Sequence, residues 1–273
     1  MIKLIRNLKP YKMAVLTLLV VLVVQAFGDI SIPSYMQKII DTGIQNKGVE
    51  HIMPSKVKGD EYSEAQIFMN DEEKALWSSS YKKDGENYTL VVKDEEKLNR
   101  LDRKLLKPIV LSYQLGHMTV RQFKQTVKEQ LGSRAETKAM ATRIDGMSIS
   151  EISNLTKMDI KSFRAKDQSG KVRTYVDMRP MIQSQIVSGE IDESMIKKSK
   201  SDMDKTISSV GDKTLRSMGI AYSISASKEA GVDIDGVQKT YLWSTAFKMM
   251  LVTFLMIAAA ITASYIASKV GAK

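Results

Sequence analysis

Apolar residues are spread along this chain in two different ways. At its ends they form unbroken runs, and in its middle they recur at helical spacing among polar residues. The first run, Met13 to Phe27, holds only Thr17 and Gln25 as polar side chains, and the second extends from Met249 to Ile266. A helix of ~20 apolar residues spans a ~30 Å hydrocarbon layer. A soluble helix would carry a polar stripe, and the first run has none. The pattern predicts a hairpin through a bilayer with a large domain between its arms. After the first run, Ile32, Met36, Ile39 and Ile40 keep three- and four-residue spacing, so the helix is expected to continue several turns beyond the membrane. Pro33 is expected to kink it.

Between the runs, glycines and polar clusters divide the chain into short helices. Asn70 with Glu73 reads as a capping box opening a helix through Trp77. Asp84-Gly85 reads as a turn, and Tyr88–Val92 as the best strand candidate, although one strand cannot make a sheet. Asp94 caps a helix carrying Leu98, Leu101, Leu105 and Leu106, which Pro108 is expected to kink. Thr119 opens a helix closed by Gly132, and Ser148 opens one with Ile152 and Leu155. Gly170, Gly189, Gly211 and Gly231 bound the later segments, the first holding Val172 to Ile186 and the next opening at Asp192 with Met195, Ile196, Met203 and Ile207. The expected fold is an all-α membrane protein, with two long transmembrane helices flanking a helix-rich extracytoplasmic domain with little strand. Its divisions are 1–46 for the flank and first span, 47–236 for the insertion, and 237–273 for the second span.

Charge sets the expected direction. Lys3, Arg6, Lys9 and Lys12 precede the first run, and Lys269 and Lys273 follow the second. Short basic flanks stay in the cytoplasm, so both ends read as inside and the middle as outside. Tyr241 and Trp243 fit an aromatic belt at the outer headgroups, with Lys248 snorkelling outward. No small-x-small cleavage site follows the first run, which argues against a removed signal peptide.

Composition narrows the chemistry. The chain has no cysteine, which excludes disulfides, thiolate metal sites and thiol catalysis. Its two histidines, His51 and His117, are too few for a multi-histidine zinc site, and each reads as a surface residue. The net charge of +10 comes without a basic stripe interleaved with aromatics, so no nucleic-acid partner is expected. No Ser-His-Asp set can be assembled. Asp233 and Asp235 read as helix caps, not as a calcium loop, and 210–214 is no phosphate loop. Gln25 and Asp29 are polar groups in the first membrane helix, and such groups face protein or a water-filled cavity; Asp29, ~25 Å along the helix from Lys12, reads equally as a residue already at the headgroup level. Thr253, Thr262, Ser264 and Ala258-Ala259-Ala260 mark a close-packing face on the second.

The stretch from Leu8 to Ile44 resembles the first transmembrane helix of type I ABC exporters. Asp29, Pro33, Ile39, Ile40, Asp41, Gly43 and Ile44 fill the acidic, proline and Ile-Ile-Asp-x-Gly-Ile positions of that pattern. The stretch from Tyr241 to Lys273 looks like the second helix, with Ser268-Lys269-Val270-Gly271-Ala272 as its cytoplasmic extension. Most such exporters have a short loop here, and the long insertion is similar to one in Firmicute multidrug-type half-transporters. The resemblance implies part of an ATP-driven exporter subunit in the plasma membrane. It also implies a second half-transporter as partner, a small molecule or peptide as cargo, and the lipid bilayer as surroundings. This stretch itself would hold no cofactor; ATP and magnesium would bind in a nucleotide-binding domain beyond it. The insertion would cover the outer exit, and Gln25, Asp29 and Pro33 would line the cavity. The rival expectation is a two-helix receptor with an external sensing domain.

Overall fold

The computed structural model describes residues 12–132, 138–156, 160–166, 171–189, 191–192, 194, 196, 198, 200–201 and 211–271. In chain order its first elements are α1 (Lys12–Lys38), β1 (Lys56–Lys58), α2 (Gly59–Glu64), α3 (Asp71–Ser80), β2 (Tyr81–Asp84), β3 (Asn87–Leu90), α4 (Glu95–Gly116) and β4 (Met118–Thr119). There follow α5 (Val120–Gly132), α6 (Lys138–Ala141), α7 (Ile149–Thr156), β5 (Lys161–Lys166), β6 (Val172–Asp177), α8 (Arg179–Val187), α9 (Asp212–Glu229) and α10 (Ile234–Gly271). The chain is mostly helical with few strands. It divides into two compact units, Met1–Glu50 with Asp233–Lys273, and His51–Val232.

The first unit is an antiparallel helical hairpin. Alpha-helical bonding in α1 gives way to a π-helical turn, Ile39–Gln45, and left-handed Lys47 and Gly48 end the helix at φ +50° and +78°. The arms, Lys12–Gln45 and Ile234–Lys269, are long and apolar enough to cross a membrane, and only 11% and 6% of their most apolar stretches are buried. A core helix of a soluble protein would be mostly covered. What is covered follows a regular period. On α1 it is Ala14, Leu18, Val21, Gln25, Gly28, Ile32, Tyr35 and Ile39, with Ser31 beside them; on α10 it is Leu242, Thr245, Met249, Val252, Met256, Ala259, Ala263 and Ile266, with Tyr241 and Thr253 beside them. Alternating steps of four and three are the seam of a left-handed helix pair.

Polarity does not select this seam, because the outer faces are as apolar as the inner ones; the closest approaches come where glycine stands in it. Met256 lies where a Cβ on Gly28 would stand, and Leu242 does the same at Gly43. The Gln238 amide donates to the Gly43 carbonyl at 2.8 Å, fastening the π-turn to α10. Ala259 and Thr253 lie on the packed side as expected. Thr262, Ser264, Ala258 and Ala260 are exposed and face away from α1. The reason is rotation: those four fall outside the steps of three and four.

The second unit, taken by itself, carries two three-stranded antiparallel sheets, ordered β1-β3-β2 and β4-β6-β5. The expectation of a lone strand near Tyr88 is therefore corrected. Tyr88 pairs with Val57 on one side and Lys83 on the other, with Gly85 turning the β2–β3 hairpin at φ +63°. The partner strands are three and four residues long and rich in lysine, too short to show an alternation. Behind this sheet Tyr62 stacks on Tyr88 at 3.8 Å, and Trp77 and Tyr81 pack beside it.

Helix starts behave as their sequences dictate. Asn70 and Glu73 form a reciprocal capping box, Asp94 accepts from the Lys97 amide, and Thr119 with Gln122 and Ser148 with Glu151 cap α5 and α7. Asp233 accepts from the Gly236 amide at the start of α10. The helix α4 runs through Pro108 to Gly116 without a break. Val172 to Ile186 is a strand followed by α8, with Pro180 in the first turn where a missing N–H costs nothing. Two of the apolar clusters among the described residues are these. One gathers Phe123, Val127, Ile144, Ile152, Val176 and Met181; the other gathers Ile67, Phe68, Val110, Leu111 and Leu215. Gly170, Met195, Met203 and Ile207 lie outside the described residues.

Candidate functional site

The three polar positions expected on the first span part company. Gln25 is half-buried in the seam, whereas Asp29 and Pro33 are exposed. At 3.6 residues per turn, each step of four residues turns the side chain by about 40°, so the series leaves the seam progressively. Asp29 and Pro33 thus share a face turned away from α10.

Within the second unit, the sequence gives little sign of a buried charge cluster that the fold assembles. Arg179, 4% exposed, starts α8 and meets three carboxylates. Its guanidinium donates to Asp177 at 3.0 and 2.8 Å and to Glu61 at 2.7 Å, and it lies 3.3 Å from Glu64. Strand β6 supplies Asp177, and α2 supplies both glutamates. Burial pushes the Glu64 carboxyl up to about 7 and raises Glu61, with Arg179 opposing both shifts. Burial likewise opposes the charge on Arg179, but Asp177 and Glu61 more than offset it. Three carboxylates around one cation leave an excess of negative charge, so the proton held near neutrality is the cluster's own relief. Gly116 makes room: a Cβ there would run into the guanidinium. The fully buried Tyr222 hydroxyl beside Glu61 makes no hydrogen bond of ordinary geometry.

Glu64 also reaches the edge of a shallow groove of about 500 Å³, together with Asp60, Ser63, Pro180, Gln183 and Val187. The arrangement offers one carboxyl that exchanges its proton near neutral pH and an acidic rim. Among the described residues, no group of three or more His, Asp or Glu is placed to hold a metal ion.

Neither histidine is a surface residue. The His51 ring lies between Asp102, at 3.0 Å from Nδ1, and Glu95, at 3.3 Å from Nε2, and the Asp102 hydrogen bond raises its pKa. Asp102 also accepts from the Ile52 amide and pairs with Arg216 at 3.4 Å, so it knits the entry of the unit to α4 and α9. His117 sits among Tyr113, Phe163 and Tyr175, and burial pushes its pKa down to about 4. A lone histidine in a polar stretch gives no periodic signal of such burial. The isolated Asp177-Met-Arg179 triplet after a strand is the one local hint of the cluster.

No protein-family model matches this chain, and no curated protein or solved structure matches it.

Proposed function

We propose that this chain is part of the transmembrane subunit of an ATP-driven ABC exporter, with α1 and α10 spanning the plasma membrane. Both chain ends are cytoplasmic, and the second unit lies outside over the exit. The reading rests on one observation above all. Two long apolar helices pack along one seam while Leu19, Val20, Val23, Phe27, Ile30, Phe254, Leu255 and Ile261 stay exposed. Lipid or further membrane helices would cover such faces, since water would not tolerate a patch of this extent. The basic flanks support the direction, and the Ile-Ile-Asp-x-Gly-Ile close of α1 supports the family. A second half-transporter then completes the assembly, nucleotide binds elsewhere in the subunit, and a small molecule or peptide is the cargo. The face of α1 bearing Asp29 and Pro33 looks towards the rest of the transporter's membrane domain, with Gln25 at its edge.

This stretch has no cysteine of its own, so any cysteine elsewhere in the subunit is first replaced by serine. Single cysteines placed at Lys83 and at Lys12 are exposed in intact cells to a membrane-impermeant maleimide. Labelling at position 83 alone supports the topology; labelling at 12 alone overturns it. Efflux of several dyes is then compared with and without residues 50–235, which a short linker replaces in the whole reading frame. Loss or altered selectivity supports a transport role for the insertion, and unchanged efflux of all dyes removes it.

A further inference from the structure

Asp29 is the only charged residue between Lys12 and Lys38, and the hairpin fixes its depth. Gly28 packs on Met256, so Asp29 is level with Leu255 on the other arm. On α10 the charge-free stretch runs from Lys248 to Lys269, a length of about 31 Å at 1.5 Å per residue. That length matches the ~30 Å hydrocarbon layer. Seven residues separate Leu255 from Lys248, which puts Asp29 about 10 Å inside the nearer edge. It is exposed on α1, and it has no hydrogen bond or ion pair among the described residues.

A second acceptor lies at the same residue. The main-chain carbonyl of Asp29 would ordinarily receive the N–H of residue 33, and Pro33 has none. One residue at membrane depth therefore presents an unpaired carboxylate and a carbonyl deprived of its helical donor. Hydrocarbon cannot satisfy either group. Ala26, one turn below, leaves room for a neighbour to approach closely.

We propose that the Asp29 face of α1, formed by Leu22, Ala26, Asp29, Pro33 and Met36, docks a further membrane-embedded helix that carries a lysine or arginine at this level. The several N–H donors of such a side chain serve the carboxylate and the freed carbonyl together, and its charge balances the carboxylate. This inference rests on the membrane-spanning reading above.

The test uses the complete reading frame in cell membranes. Single-cysteine variants Leu22→Cys and Ala26→Cys probe the proposed face, and Val20→Cys and Phe27→Cys probe the opposite one. A lipid-soluble diazirine, which inserts on illumination without needing an ionised thiol, is expected to label positions 20 and 27 at least tenfold more than 22 and 26. A benzophenone photo-crosslinker on Ala26→Cys is expected to join a peptide with an apolar run interrupted by Lys or Arg. Adding Asp29→Lys to that variant should cut the yield about tenfold, while Asp29→Glu keeps it. Equal labelling of all four positions by the lipid-soluble reagent would mean bare lipid at Asp29 and overturn the proposal. Rapid labelling of 22 and 26 by a charged thiosulfonate would mean open water there and would overturn it too. A crosslinked peptide lacking a basic residue, or one from α1 or α10 of a second copy, is equally fatal to it. If positions 20 and 27 themselves resist the lipid-soluble reagent, the membrane reading falls first and takes this inference with it.

Discussion

The hairpin and the inserted unit bury their residues by different rules. In the hairpin every face is apolar, so hydrophobicity does not say which side packs; the covered positions recur at steps of three and four, and Gly28 and Gly43 admit Met256 and Leu242. In the inserted unit the helices are amphipathic, and polarity separates core from surface in the usual way. The Arg179 cluster departs from that rule, since Arg179 and Asp177 are buried there with Glu61 and Glu64 half-buried against them. A fold that packs along such a seam tolerates any apolar residue outside it. A fold that packs by polarity depends on the few polar groups it chooses to enclose.

The most demanding test of this contrast is Arg179→Met. Removing the cation leaves the buried Asp177 facing two half-buried glutamates, and breaking a buried pair costs ~3–5 kcal/mol. Denaturant unfolding of the inserted unit in detergent-solubilised protein should show the loss, with α1 and α10 unaffected by the same substitution. Next in size is Gly28→Leu. Met256 already fills that space, and overpacking costs about 1–3 kcal/mol. The thermal midpoint of the hairpin should fall, whereas Ile30→Leu on the exposed side should leave it unchanged. Equal effects would mean that the glycine does not matter to the seam.

Proton linkage probes the polar half of the contrast. Burial raises Glu64 from 4.5 to about 7 in the fold. A raised carboxyl contributes stability that is fully present below 4.5 and lost as pH rises through 7, because the unfolded chain releases its proton first. His117 acts oppositely: lowered from 6.5 to about 4, it contributes above 6.5 and loses that contribution as pH falls through 4. Glu64→Gln should therefore flatten the decline of stability between pH 4.5 and 7, read as denaturant midpoints across that range. The smallest effect is expected from Tyr222→Phe. The hydroxyl has no partner to lose, so its removal should be neutral or raise stability by up to ~1 kcal/mol.

Much of the helical scaffold is legible in the sequence because its signals are local. Asn70 with Glu73, Asp94, Thr119 with Gln122, and Ser148 with Glu151 each announce a helix start within four residues. The two long apolar helices are legible from length and apolarity. The strands are less so, because Lys56–Lys58 and Tyr81–Asp84 become strands only by pairing with Asn87–Leu90, and nothing inside three or four residues records a distant partner. The Arg179 cluster is invisible for the same reason. Its members come from α2, β6 and α8, and each looks like an ordinary surface charge until the chain folds. Gln25 and Asp29 show the limit within a span: both stand out as polar, but only the seam tells which one meets α10 and which one turns away.

The interlocking of Gly28 with Met256 and of Gly43 with Leu242 restricts how this pair of helices is able to move. Axial slippage of one arm past the other would drive each large side chain off its small counterpart. A shift by one heptad restores no fit either, because the seam positions seven residues from Gly28 are Val21 and Tyr35. Piston strokes of an ångström or two are thus closed to the hairpin. Force applied at one end is delivered at the other as tilt or rotation of the two arms together, as a stiff lever would deliver it.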